Sequence, residues 1–213
     1  MRLKKLSEVS DEVVDVEDVK ADLILTGDQD NDLIANYITT ARKYVENYTK
    51  TSILQQQFQV SFTPSDIQTT AEMTSMVYYN FAYNEESYYN YVYNTALPDR
   101  FILPRPPVVS VDSAKWVDEQ GQVTNYVSSL VETPGDYRLF NDILILVDPM
   151  ESDTIGYYVI EYTTGYTTAD EVPPEMLTAI RLMTAEHYEN REGIFIPAGF
   201  RELLAPYRRG RLL

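Results

Sequence analysis

The chain has 213 residues, no cysteine and a net charge of −16 at pH 7. Without cysteine there is no thiol nucleophile, disulfide framework or thiolate zinc site. The negative charge argues against a general nucleic-acid binder, because such proteins neutralise phosphates with lysine and arginine. No apolar run approaches the length of a membrane span and no signal core follows the basic start, so we expect a soluble, unprocessed protein without a membrane partner.

The charge is unevenly distributed along the chain. Between Glu8 and Asp32, ten acids stand against the single base Lys20, whereas the last residues are rich in arginine. Such polarity suits head-to-tail contacts between protein subunits. Solvated helix faces and a frayed basic tail are the alternative explanation.

Two helices are predicted near the start of the chain. A short one covers Val16 to Leu25, and a longer one covers Asp30 to Thr51. Asp28, Asp30 or Asn31 is expected to cap the longer helix by accepting its free N–H groups. Its apolar residues recur with the helical period and form one stripe: Leu33, Ile34, Tyr37, Ile38, Ala41, Tyr44, Val45 and Tyr48.

A half-buried strand is predicted where Phe58, Val60 and Phe62 alternate with polar residues. The next segment, residues 63–97, contains no lysine or arginine and is rich in tyrosine and asparagine. Its alternating pattern predicts a β-hairpin with rings on both faces, which we interpret as a protein-contact arm. A lid over the protein's own core and a partly disordered tract are the alternatives. The contact residues of the arm would be Tyr79, Phe81, Tyr83, Tyr89, Tyr91 and Tyr93.

A series of short strands follows the arm. Phe101 to Leu103 runs into a proline-rich stretch and can lie at most at a sheet edge. Asn141-Asp142 predicts a tight connection between two strands. The strands are expected to form a small antiparallel sheet or open barrel. They lie at Val108 to Val111, Ala114 to Val117, around Val123, Tyr137 to Phe140, Ile143 to Val147 and Tyr157 to Thr163.

A second long helix is predicted from Pro173 to Asn190, and a shorter one from Phe200 to Ala205. Because each long helix needs apolar surface to cover its stripe, the two should pack on each other. The fold class is therefore α+β. We expect a small helical bundle from residues 1–52 and 172–213, with residues 53–171 inserted as a β-rich region that includes the arm at 63–97.

The residues of common catalytic sites are scarce. His187 is the only histidine, no nucleophile elbow or phosphate-binding glycine loop is present, and no carboxylate pair stands out among the acids. We therefore predict no enzyme, no catalytic residue, no cofactor and no metal site. The tyrosines leave one alternative of another class open, a glycan-binding module.

Several segments together resemble the head-tail connector, or adaptor, proteins of tailed bacteriophages and phage-like particles. The resemblance extends from about Val16 to Arg208, and the Tyr/Asn-rich segment departs from the usual pattern. The matching segments are Asp32–Ile34, Ala41–Thr49, Leu103–Val108, Tyr162–Tyr166, Val172–Pro174, His187–Glu192 and Leu203–Arg208.

The resemblance implies a structural virion protein of the neck, assembled in the host cytoplasm. Copies would form a ring, typically of twelve, beneath the portal protein, and the ring would extend the DNA channel and join the head to a neck or tail protein. DNA would pass through without sequence-specific binding, since an acidic lining repels phosphates. Another neck component, such as a stopper or tail-completion protein, is the alternative within this class.

Two sets of residues follow from this analogy. The short C-terminal tail, broken by proline, is expected to become ordered only on docking to the portal. A second set should lie at or beneath the helix or subunit interface, although plain core packing or helix capping would also explain these residues. The tail set is Arg201, Tyr207, Arg208, Arg209 and Arg211, and the interface set is Tyr44, Tyr48, His187, Tyr188 and Arg191.

Overall fold

The computed structural model describes residues 1–7, 12–63, 100–128, 136–146, 154–191, 193 and 196–208. The six proposed contact residues of the Tyr-rich arm, together with Arg209 and Arg211, lie outside the described residues. The chain divides into two compact units, a helical unit and a sheet unit. The helical unit comprises Ser7–Gln56, Pro104–Val109 and Thr164–Leu213, and the sheet unit comprises Met1–Leu6, Gln57–Leu103 and Ser110–Thr163.

The helical unit contains four described α-helices: α1 (Val16–Asp22), α2 (Asn31–Thr49), α3 (Pro174–Glu189) and α4 (Phe200–Leu204). Short 3-10 turns, Ala169–Glu171 and Ala205–Tyr207, precede α3 and follow α4. None of the described helices is both long and apolar enough to cross a membrane.

The two long helices pack on each other, as their stripes predict. The hydroxyl of Tyr188 near the end of α3 donates to Asp30, just before α2, so the helices run antiparallel. Full burial of one aliphatic side chain stabilises a fold by about 1.5–3 kcal/mol, so the shared stripe is a major source of stability. The buried stripe residues are Ile34, Ile38, Ala41 and Val45 from α2, and Met176, Ala179, Ile180 and Met183 from α3.

The predicted side-chain cap of α2 is wrong. Asp30 occupies the N-cap position but makes no capping hydrogen bond, and its φ of −105° and ψ of 8° depart from the extended geometry of a cap. Its carboxylate instead accepts from Tyr188 and Arg191. Asp28 accepts from the side chains of Lys20 and Asn31. These acids therefore hold side chains rather than backbone N–H groups.

The sheet unit is built on an eight-stranded sheet in the order β1-β2-β8-β4-β5-β6-β7-β3. Four neighbouring pairs, β1–β2, β3–β7, β4–β5 and β6–β7, are antiparallel, and β5–β6 is parallel. The α+β fold class is confirmed, with one parallel pairing that the sequence does not predict. The strands are β1 (Arg2–Lys5), β2 (Gln56–Phe62), β3 (Arg100–Ile102), β4 (Val108–Asp118), β5 (Val123–Ser128), β6 (Asp136–Phe140), β7 (Ile143–Leu146) and β8 (Gly156–Thr164).

Within the described residues, the segments predicted as strands are strands in the structure. β3 lies at one end of the strand order, which confirms the predicted edge position. The two segments predicted at 108–111 and 114–117 form the single strand β4. β6 and β7 are joined directly through Asn141 and Asp142, and Asn141 adopts a φ of 52°, which asparagine tolerates better than most residues. The edge strand β1 is not predicted from the sequence.

Aromatic rings fill the core of the sheet unit around Tyr158, which is fully buried. Its ring centroid lies 4.8 Å from Trp116, 5.4 Å from Phe62 and 5.6 Å from Phe101. Such ring pairs contribute about 0.5–1.5 kcal/mol beyond the burial of their area. Tyr158 and Tyr162 of β8, both fully buried, are therefore core residues of this unit.

Candidate functional site

The C-terminal helix α4 is anchored in the helical unit by Phe200, which is completely buried. The ring of Tyr44 meets Phe200 edge-on at a centroid distance of 5.5 Å, and the ring of Tyr48 does so at 6.1 Å. Both tyrosines are partly buried and pack against the core of the helical unit. Tyr44 and Tyr48, two members of the proposed interface set, thus contact the buried phenylalanine that anchors the C-terminal segment.

The residues that follow α4 also lie against the helical unit. The Tyr207 hydroxyl donates to the Glu175 carboxylate at 2.7 Å, and the Arg208 guanidinium lies 5.4 Å from the centroid of the Tyr48 ring. The hydrogen bond lowers the pKa of Glu175 and raises the pKa of Tyr207. The expectation that this tail is ordered only on docking is therefore wrong up to Arg208. The reason is local: one hydroxyl and one cation find partners on α3 and α2.

The C-terminal segment presents two exposed cations. Arg201 on α4 and Arg208 after it are both exposed, although Arg208 rests on the Tyr48 ring. An arginine over an aromatic face keeps its charge available to a partner while its position is fixed. On a chain with a net charge of −16, these two exposed arginines stand against one acid, Glu202, in the described residues 196–208.

His187 is buried on α3, with its ring edge-on to Tyr37 at a centroid distance of 5.7 Å. Its Nε2 atom finds no hydrogen-bond partner among the described residues. Burial lowers the pKa of His187, against a smaller opposite effect of the Glu186 charge. The imidazole is therefore neutral at pH 7 and packs in the interior of the helical unit.

Tyr188 and Arg191 tie the end of α3 to the start of α2. The Tyr188 hydroxyl donates to Asp30 at 2.5 Å, and the Arg191 guanidinium reaches the same carboxylate oxygen at 3.4 Å. Arg191 also lies over the Tyr188 ring, 4.8 Å from its centroid. Arg191 donates at 3.3 Å to the Tyr188 carbonyl as well, so it interacts with the C-terminal end of its own helix.

A buried ion network on α2 was missed by the sequence reasoning. Arg42, nearly fully buried, donates to Glu12 at 2.6 and 3.0 Å and to Glu46 at 3.3 Å. The other oxygen of Glu46 accepts from the backbone N–H of Ile53 at 3.0 Å and from the Gln56 amide at 2.6 Å. Burial lowers the pKa of Arg42, but the two carboxylates outweigh it and the pKa is raised.

The signal for this network is visible in the sequence. Arg42 and Glu46 are four residues apart and lie within the buried stripe of α2 rather than opposite to it. Two opposite charges four residues apart on an apolar helix face indicate that both side chains are buried and that each has a hydrogen-bonding partner there.

The segments that carry the family resemblance meet inside the helical unit. Arg105 of the proline-rich stretch donates to the Glu46 carbonyl and to the Asn47 side chain, each at 2.8 Å. The Gly165 N–H donates to the Pro107 carbonyl at 2.8 Å. Gly165 has a φ of +104°, and a Cβ there would overlap the Leu54 carbonyl, so only glycine fits. These motif residues fix the backbone of the unit.

The described residues contain no group of three or more histidine, aspartate or glutamate side chains arranged to hold a metal ion. The described residues instead form a helical unit, and a C-terminal segment with two exposed arginines packs against it. That arrangement is suited to docking against another protein.

Residues 13–102 match the family described as phage gp6-like head-tail connector proteins. This confirms the resemblance to head-tail connectors, and the match includes α1, α2, β2 and β3. No curated protein sequence matches the chain.

Solved structures with the same fold come from the necks of gene transfer agent (GTA) particles. A chain in the neck of the empty GTA particle, computed with C6 symmetry, is 20% identical with a TM-score of 0.67. A chain in the neck of the native GTA particle, computed with C12 symmetry, is 21% identical with a TM-score of 0.65. Both alignments cover 100% of this chain and 98% of the other.

Proposed function

We propose that this protein is a head-tail connector that forms a ring beneath the portal of a tailed phage or phage-like particle. The match of residues 13–102 to the gp6-like connector family carries the proposal. The likeness to GTA neck chains over the full length supports it. The protein acts by binding and positioning other proteins of the virion neck, and no catalytic step is required.

The ring would contain twelve copies, in keeping with the C12 symmetry of one similar neck structure. Twelve chains with a net charge of −16 each would surround the DNA with negative charge. Since binding to DNA depends on cations that neutralise phosphates, an acidic channel lets the duplex slide without being held. DNA is therefore a passing cargo rather than a ligand.

Portal docking is assigned to the C-terminal segment, with Arg201 and Arg208 as the exposed cations. Because Phe200, Tyr207 and Arg208 already hold this segment on the helical unit, docking requires little further ordering. Guanidinium groups in fixed positions suit a carboxylate-bearing surface on the portal. Arg209 and Arg211 would extend the same surface.

The proposal is tested by complementation in particles that lack the gene. Heads should be packaged but remain without tails, and the parent protein should restore tailed particles counted by electron microscopy. The variant with Arg201→Glu and Arg208→Glu should reduce tailed particles about tenfold or more, because charge reversal at a docking surface costs several kcal/mol. Restoration to the parent level by this variant would contradict portal docking through the segment.

A matched control uses the exposed Lys43 and Lys50, which lie on and just after α2. Lys43→Glu with Lys50→Glu changes the net charge by the same amount and should restore tails. Removal of residues 209–213 tests the rest of the segment and should weaken attachment without loss of folding. Full-strength attachment by that truncation would exclude Arg209 and Arg211 from the docking surface.

A further inference from the structure

The turn after α1 contains a residue that the backbone does not favour. The Leu25 N–H donates to the Lys20 carbonyl at 2.9 Å and the Ile24 N–H to the Ala21 carbonyl at 3.3 Å. This pair of backbone hydrogen bonds defines the Schellman motif, in which the residue after the helix is left-handed and usually glycine. Here it is Ile24, with a φ of 55°. A β-branched residue in this conformation is a genuine outlier.

Packing of the Ile24 side chain does not offset the cost of this backbone conformation. It is 89% exposed, whereas its neighbours Leu23 and Leu25 pack against the core of the helical unit. The chain thus holds a large apolar group outward at a position where glycine would be favoured. Backbone strain of this kind persists mainly where function uses it. An isoleucine held outward in this strained conformation is available for contact with another molecule.

The surroundings of Ile24 are strongly acidic. From Asp15 to Asp32 the chain carries seven acids and one base, Lys20, whose ammonium is bound by Glu17 and Asp28. A partner that covers Ile24 must therefore combine apolar surface with positive charge. This requirement excludes most of the chain's own surface, since the protein as a whole is acidic.

The edge strand β1 has the required chemistry. It is the first strand in the sheet order, so its other edge has no neighbouring strand in the described sheet. Residues 1–7 include three bases and no acid. Arg2 and Lys4 pair with Ser61 and Gln59 of β2 and share their outer face of the sheet. Leu6 is 42% exposed, and its N–H donates to the Gln57 carbonyl at 2.8 Å, so it continues the alternation on the face of Arg2 and Lys4. Leu3 pairs with the buried Val60 and lies on the opposite face.

We propose that Ile24 of one copy packs against Leu6, directly after β1 of the next copy, while Arg2 and Lys4 on the same face of that strand lie opposite the acids around α1. Copies that each carry a charge of −16 repel one another, so a contact between them must use a basic surface of this kind. Because the two patches differ, the contact is head-to-tail and repeats around a closed ring. This inference rests on the proposed ring and names one of its interfaces.

Disulfide cross-linking tests the contact directly, because the chain has no native cysteine. Ile24→Cys protein mixed with Leu6→Cys protein at high concentration should give covalent dimers under mild oxidation. The matched control replaces Leu6→Cys with Leu182→Cys, a leucine on α3 that is 44% exposed. The first pair should give several times the yield of the control pair.

Equal yields from the two pairs, or no covalent dimer from the first pair, would overturn this interface. The connector role would still stand if the parent protein restores tails in the complementation assay. If the parent protein fails to restore tails although cross-linking is efficient, the self-contact stands and the connector role is refuted. The two failures are thereby distinguishable.

A stability measurement gives independent evidence. Ile24→Gly should raise Tm by about 2–4 °C, because glycine removes the strain and no core contact is lost. The same protein should lose association in sedimentation experiments at high concentration. Lys50→Gly is the matched control, since Lys50 has a φ of 62° at the end of α2, and it should gain stability without loss of association. A fall in Tm on Ile24→Gly would show that Ile24 serves its own fold and refute the proposal.

Discussion

The two units of this protein bury different kinds of side chain. In the residues that the structure describes, the buried charged side chains and His187 all lie in the helical unit, as do the buried amide and hydroxyl side chains of Gln, Ser and Thr. The sheet unit fills its interior with aliphatic and aromatic groups arranged around Tyr158. The stability of the helical unit thus depends on hydrogen-bonding partners for its buried polar groups. The stability of the sheet unit depends on the close packing and the buried area of its apolar and aromatic side chains.

This difference teaches where a single substitution does the most damage. A buried charge that loses its partner retains its desolvation penalty, whereas an aromatic cluster that loses one ring loses only that ring's contacts and leaves a cavity. Residues from three of the segments that carry the resemblance lie in the helical unit, where Arg105 donates to the Glu46 carbonyl and the Gly165 N–H donates to the Pro107 carbonyl. The helical unit is therefore the more exacting half of the molecule.

The largest expected effect comes from Glu46→Ala. It leaves the Ile53 N–H and the Gln56 amide without their acceptor in the interior, and it removes the more deeply buried of the two carboxylates that pair with Arg42. Breaking one side of a buried ion pair costs about 3–5 kcal/mol, which we expect as a loss of unfolding free energy in urea denaturation.

Glu12→Ala is the control for this prediction. The Glu12 side chain is 26% exposed, so water compensates part of the loss and the cost should be about 1–2 kcal/mol. A Glu46→Ala protein no less stable than the Glu12→Ala protein would show that the helical unit does not depend on buried partners.

The same contrast explains how far the sequence could be read. The helical period placed α2 and α3 to within two residues, and alternation placed most of the described strands. These patterns work because each element buries one face. The mutual packing of the two long helices followed from the same reasoning.

What the sequence did not reveal depends on contacts between residues far apart. Periodicity counts a charged residue as exposed, so the pairing of Arg42 with Glu12, 30 residues away, was missed. Asp30 looked like a helix cap because no local pattern shows that Tyr188 is beside it. The parallel pairing of β5 with β6 and the anchoring of Tyr207 on Glu175 are non-local in the same way. The proposed contact roles of the tail and interface residues remain predictions.

Phe200→Ala tests whether the two units respond separately. Removal of a fully buried phenylalanine costs about 3–5 kcal/mol, here with loss of the ring contacts to Tyr44 and Tyr48. Trp116, the single tryptophan, lies in the sheet unit and reports on it by fluorescence, whereas circular dichroism at 222 nm reports mainly on the helices. The urea midpoint should fall more by circular dichroism than by fluorescence. Equal shifts of both signals would mean that the units unfold as one.

A moderate effect is expected from acid on His187. Its pKa is lowered in the folded protein by burial, so the folded state favours the neutral ring. The associated stability is present above the ordinary pKa of 6.5 and is lost as the pH falls below it. Tm should therefore decrease by a few degrees between pH 7.5 and 5.5, and His187→Phe should lack the part of that decrease due to histidine. An unchanged pH dependence in the variant would show that His187 is not its source.

The smallest effect concerns the bond that holds the C-terminal segment, between Tyr207 and Glu175. The hydrogen bond lowers the pKa of Glu175, so its stabilisation is present above the ordinary value of 4.5 and is lost as the pH falls through the lowered value. Tyr207→Phe should lower Tm slightly at pH 7, and the difference from the parent should vanish in strong acid. Glu175→Gln is the matched control, because its amide can still accept from Tyr207 without a carboxylate to titrate. A difference between Tyr207→Phe and the parent that persists in strong acid would mean that the tyrosine acts through packing, and the segment would then resemble the sheet unit in how it is held.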